Sequence, residues 1–88
     1  MQAVWYERFG AAAEVLTRGE MPDPAAGPGE VVVRLHASGV NPSDVKLRAG
    51  ARPGAVMAHP RVIPHSDGAG VIEAVGAGVD AGRIGERV

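Results

Sequence analysis

Hydrophobic and polar positions alternate over several short stretches of the chain and define most of its elements. In MQAVWYE, Val4 and Tyr6 lie on one side and Ala3, Trp5 and Glu7 on the other, which predicts a first strand. FGAAA reads as a turn and EVLTRGE as a second strand. MPDPAAGPG is too rich in Pro and Gly for regular structure and reads as a surface loop. EVVVRLHAS gives the clearest alternation. Val31, Val33, Leu35 and Ala37 face one way, and Val32, Arg34, His36 and Ser38 the other, as in a half-buried antiparallel sheet.

The pattern then changes in GVNPSDVKLRAG. Asn41 can cap a helix, and Pro42 suits its first position because a missing N–H costs nothing there. Asp44 falls at the third position, where a carboxylate meets the positive end of the helix. Gly50 fits just past the other end. The spacing predicts a short helix over 42–49. Residues 51–65 carry Pro53, Pro60 and Pro64 and read as a long irregular loop, a kind of segment that is often functional. GAGVIEAV predicts another strand, and GERV a turn opening into a further one.

VIEAVGAGVDAGRIG contains Gly76, Gly78 and Ala81 at the G-x-G-x-x-A spacing of a dinucleotide-binding turn. That turn works only when a helix follows directly, because the pyrophosphate sits on the helix N-terminus. Gly82 and Gly85 would each cost about 1 kcal/mol inside such a helix, and no apolar stripe of helical period follows. A strand–turn–strand fits the segment better, with glycine supplying backbone freedom.

Composition narrows the function classes. Eighty-eight residues make one small domain or part of a larger one. Trp5, Tyr6 and Phe9 are the only aromatics, so the core is thin. The net charge of −1 and the scattered basic residues, with Lys46 the single lysine, argue against a nucleic-acid surface. The absence of cysteine removes disulfides and thiol nucleophiles. No signal peptide and no stretch fit to span a bilayer are visible, so the expectation is a cytoplasmic protein without a membrane partner.

Taken in order, GVNPSDVKLRAG, P-x-x-P-H-SDGAGVIEAVGAGV and GERV resemble the medium-chain dehydrogenase/reductase superfamily, and within it the zinc-free quinone oxidoreductase, zeta-crystallin-like, branch. The resemblance spans nearly the whole chain. It implies a mainly β fold: the first part of a GroES-like barrel, partly open and truncated within residues 1–88, with the Rossmann NADPH-binding domain absent from this chain. It also implies hydride transfer from NADPH to a quinone or α,β-unsaturated carbonyl, by a full-length protein that is a homodimer. An enoyl-reductase domain of a larger synthase and a nonenzymatic, partner-binding GroES-like barrel are the alternatives.

In zinc-dependent members of the superfamily, the metal-ligating Cys, His and Glu positions correspond here to Asn41, Ser66 and Asp67. Asn41 and Ser66 are poor zinc ligands, and His36, His59 and His65 have no recognised metal spacing. The resemblance therefore implies no metal. It places Asn41 near the nicotinamide end of the cofactor, where an amide can both donate and accept. Asn41 and Asp44 are the candidate catalytic residues, and Asn41, Lys46 and Ser66 the candidate cofactor contacts. Lys46 stands where some relatives carry tyrosine, and Ser66 lies where a substrate cleft is expected.

Overall fold

The computed structural model describes residues 1–88, and the chain divides into two compact units. The first comprises Met1–Pro22 and Val40–Ser66, and the second Asp23–Gly39 and Asp67–Val88.

In the first unit, β1 (Gln2–Trp5) pairs antiparallel with β2 (Thr17–Glu20), in register from Gln2 opposite Glu20 to Trp5 opposite Thr17. The terminal ammonium donates to the Met21 carbonyl at 2.8 Å and lies 3.3 Å from the Glu20 carboxylate. Trp5 and Tyr6 are buried, together with Val15. The Trp5 indole lies over Gly19, where a Cβ would come within 3.0 Å of the ring. Arg61 also stacks on Trp5, its guanidinium carbon 5.0 Å from the ring centre. Glu7 ties the pair together, accepting from Arg61 Nε at 2.9 Å and from Trp5 Nε1 at 3.2 Å. Tyr6 exchanges backbone hydrogen bonds of 3.0 and 2.9 Å with Val62, which returns the Pro-rich loop to the end of β1.

The expected strand EVLTRGE is only half a strand. Ala12–Val15 form a one-turn helix, α1, and extended structure begins at Thr17. Alanine and glutamate favour helix locally, and β1 offers partners only to residues 17–20. The helix expected over 42–49 is present with those bounds as α2 (Pro42–Ala49). Gly50 closes it in the left-handed conformation, its N–H on the Leu47 carbonyl.

In the second unit, β3 (Val31–Gly39) and β4 (Asp67–Val75) form a long antiparallel pair, from Val31 opposite Val75 to Gly39 opposite Asp67. Val32 and Ile72 form its core, and Ile72 is 1% exposed. The simple alternation expected for β3 does not hold. Irregularities between Val32 and Val33 and between Leu35 and Ala37 shift the faces, so Val32 is buried and Leu35 is 61% exposed. Arg34 and Glu73 make an exposed ion pair at 2.7 Å. The expected further strand appears in GERV as extended chain along the second edge of β4. Gly70 and Val88 exchange bonds of 2.9 and 3.0 Å, and Ile72 bonds to Glu86 and Gly85. Neither sheet closes into a barrel.

The glycine turn does not open a long helix. After β4 there is only a single 3-10 turn, Ala81–Arg83, whose Gly82 N–H is held by Asp80 Oδ1 at 2.9 Å. Gly76 is instead a point of close backbone approach. Its N–H donates to the Glu30 carbonyl at 2.8 Å, and Gly29 N–H donates to the Ala77 carbonyl at 2.8 Å. A Cβ at Gly76 would fall on the Gly27 carbonyl oxygen. Gly78 differs: it takes φ +84°, with open space where a Cβ would stand.

These two glycines have separable costs. Gly78→Ala should lower unfolding stability by about 1 kcal/mol, the strain of a left-handed alanine. Gly76→Ala should cost about 3 kcal/mol, because only backbone can move out of the way. Urea unfolding of both variants checks this. Equal or reversed costs would remove the close approach as the reason for Gly76.

Candidate functional site

The N-terminus of α2 gathers a reciprocal set of polar contacts. Asn41 is extended (φ −119°, ψ 156°) and Pro42 follows at the first helical position. Asn41 and Asp44 form a capping box. In one arm, Asp44 Oδ2 accepts the Asn41 backbone N–H at 2.7 Å. In the other, the Asn41 side chain meets the Asp44 backbone N–H, which also bonds the Asn41 carbonyl at 3.0 Å. Asp44 is the one buried charged side chain, 6% exposed. A carboxylate tolerates that position because a backbone donor and the helix dipole stabilise its charge.

The other end of α2 is fixed as firmly. Arg48 Nη1 donates to the Gly10 carbonyl at 2.5 Å, and Gly10 N–H donates to the Arg48 carbonyl at 3.0 Å. The Phe9 ring packs where a Gly50 Cβ would stand. Residues 9 and 10 thus clamp the helix C-terminus, and the capping box fixes its N-terminus.

The expected site residues fall into two groups. Asn41 and Asp44 are bonded to each other at the half-buried helix start. Lys46 lies on the next turn and is exposed. It lines a cavity of about 650 Å3 with Ser43, Leu47 and loop residues around Arg52 and Val56. Ser66 is exposed at the far end of the 51–66 segment, next to His65, the single non-glycine residue with positive φ (80°). Strain at a non-glycine residue of this kind is of order 1–3 kcal/mol. No group of three His, Cys, Asp or Glu side chains is arranged to hold a metal ion.

Sequence reasoning missed Ser43, Arg52 and Val56 as cavity residues. Ser43, Lys46, Leu47 and Gly50 recur at helical spacing, and this was a legible sign of one shared face. The loop's return onto that face is tertiary and left no local mark.

Comparison with known proteins places these features. The family model of the alcohol dehydrogenase GroES-like domain matches residues 27–88. Rattus norvegicus quinone oxidoreductase is 36% identical over 90 residues, covering 100% of this chain and 26% of that protein. The crystal structure of a putative NADPH:quinone reductase from Bacillus thuringiensis superposes with TM-score 0.86 at 31% identity, over 99% of this chain and 26% of that one. A cobalt- and zinc-bound thermostable alcohol dehydrogenase from Pyrobaculum aerophilum superposes with TM-score 0.80 at 40% identity, over 100% of this chain and 25% of that one. The chain thus spans about a quarter of the length of the curated relatives it matches.

The capping box gives a direct expectation. Asp44→Ala leaves the Asn41 N–H without its acceptor and should cost about 1–3 kcal/mol. Asp44→Asn keeps an acceptor and loses only the charge, so its cost should stay near 1 kcal/mol or below. Thermal melts of the two variants test the order.

Proposed function

The chain belongs to the alcohol dehydrogenase GroES-like domain family, and on that premise we propose that it is part of an NADPH-dependent, zinc-independent oxidoreductase that reduces a quinone or α,β-unsaturated carbonyl. The observation that carries this reading is the half-buried Asn41 at the start of α2, in a chain similar along its whole length to quinone oxidoreductases. The nucleotide is held mainly outside these 88 residues. Within them the G-x-G-x-x-A segment does not suit it, since the Gly27 carbonyl fills the place above Gly76 and no helix of several turns follows.

The donors near the start of α2 do suit the nicotinamide end of such a cofactor. An amide at Asn41 both donates and accepts, as a ribose hydroxyl or a carboxamide requires. When bound, NADPH supplies the hydride. The contribution of this chain is positional. Asn41 fixes orientation at the helix start, Asp44 holds the Asn41 backbone in place at 2.7 Å, and Ser66 belongs to the cleft wall. Asp44 acts through Asn41 and is a positioning residue.

Zinc independence rests on the donor set. Asn41 and Ser66 occupy positions where good ligands are needed, and three or more such ligands make a stable zinc site. Protein purified without chelator should therefore contain no stoichiometric zinc by elemental analysis. About one zinc per chain would overturn that part of the reading and favour a kinship with metal-bound alcohol dehydrogenases instead.

Asn41 provides the test of the reaction. In a full-length enzyme containing this segment, Asn41→Ala should lower the catalytic rate about tenfold to a hundredfold, as loss of one or two orienting hydrogen bonds requires. A cap alone predicts about 1 kcal/mol less stability with turnover nearly intact. Asn41→Ser separates the two, because serine caps a helix well and cannot replace the paired donor and acceptor of the amide. Normal melting with reduced kcat/KM is the expected result. Normal melting with normal kcat/KM would reduce Asn41 to a cap.

A further inference from the structure

The cavity beside α2 carries a charge arrangement that goes beyond the single cofactor contact expected at Lys46. Its volume, about 650 Å3, is that of a small-molecule site. Two cationic side chains, Lys46 and Arg52, line it, and no acidic residue does. Five of the other basic side chains find acceptors: Arg8 donates to the Glu14 carbonyl and Arg48 to the Gly10 carbonyl, and Arg34 pairs with Glu73, Arg61 with Glu7 and Arg83 with Glu86; Arg18 and Arg87 lie outside this cavity's lining. The side chains of Lys46 and Arg52 make no hydrogen bond or ion pair, nor does the Ser43 hydroxyl. Leu47 and Val56 belong to the same lining and are 55% and 83% exposed. Two unneutralised cations beside bare aliphatic side chains match a ligand with an anionic end and an apolar body. The cations attract and orient the anion, and the aliphatic surface gains by being covered.

We infer that this cavity binds small anionic amphiphiles and that Lys46 and Arg52 select carbonyl substrates carrying a carboxylate. The inference rests on the reductase reading for the reaction itself, though not for the binding. Lys46 follows Asn41 by five positions, so its backbone lies roughly 7–8 Å further along the helix axis. A carboxylate held there stands a short chain or one ring away from the helix start. An α,β-unsaturated keto acid has that span, and its neutral ester lacks the charge the cavity reads.

The test uses a full-length protein containing this segment, with 4-oxo-2-pentenoate and its methyl ester as probes. The quantity read is the ratio of kcat/KM for acid over ester, which cancels any effect of the substitutions on cofactor use. Lys46→Gln and Arg52→Gln should each lower that ratio about tenfold, the worth of one charge-assisted hydrogen bond. The loss should appear mainly as a higher KM for the acid, and raised salt should reduce the wild-type preference in the same direction. A ratio in the double variant within twofold of wild type overturns the inference. So does a rise in KM for NADPH with the ratio unchanged, which would assign the cations to a cofactor phosphate. Equilibrium binding of the two probes, by calorimetry on the same proteins, separates the inference from the reaction. If neither probe is turned over, tighter binding of the acid that the double variant abolishes still establishes the cavity's anion preference, and the reductase reading falls alone. Equal binding of acid and ester overturns the inference whatever the turnover. Both side chains are exposed and unpaired, so the variants are expected to fold, and circular dichroism verifies it.

Discussion

Helix α2 is too short to hold itself together. Eight residues give about two turns, below the length at which an isolated helix persists in water. Its order depends on what is bonded to its two ends. At one end Asp44 and Asn41 satisfy each other's exposed backbone donors; at the other Arg48 and Gly10 exchange bonds while Phe9 packs on Gly50. Everything proposed for the first unit inherits its geometry from this double anchorage. Asn41 has a fixed direction because the helix starts there and nowhere else. Lys46 and Ser43 share a cavity because the helix face they occupy cannot rotate.

The same dependence explains how a thin core suffices locally. The first unit buries Trp5, Tyr6 and Val15, and the second Val32 and Ile72. Side-chain clusters of that size cannot order long loops by burial alone. Specific polar contacts do the rest: Glu7 between Trp5 and Arg61, the Tyr6–Val62 backbone pair, and Asp80 at its 3-10 turn. Many large apolar side chains, among them Leu35, Val40 and Val56, remain exposed.

What could be read from the sequence was whatever local chemistry decides. The bounds of α2 were legible because Asn41, Pro42, Asp44 and Gly50 each mark a position on the helix by their own bonding. The strands β3 and β4 were legible from branched apolar residues. The faces of β3 were not, since two irregularities in pairing belong to the partner strand as much as to β3 itself. The helix α1 was missed because four residues carry too weak a period to outweigh the strand-like Val15 that ends it and the Leu16 and Thr17 that follow. In the site, the pairing of Asn41 with Asp44 followed from a three-residue spacing. The meeting of Lys46 with Arg52 depends on how an irregular loop folds back.

The contact at Gly76 reaches beyond stability. Residues 27–30 and 76–77 are far apart in the chain, yet they share two backbone bonds and leave no room for a single methyl group between them. Neither segment can therefore change length by itself. Lengthening the 27–30 turn by one residue would displace the carbonyls of Gly27 and Glu30, and the partner turn would have to change at the same time. The two segments are free to vary in side chain where they face solvent, but in length they must be inherited together. What looks in one dimension like a nucleotide-binding signature is, in three, a dimension-setting joint between two distant turns.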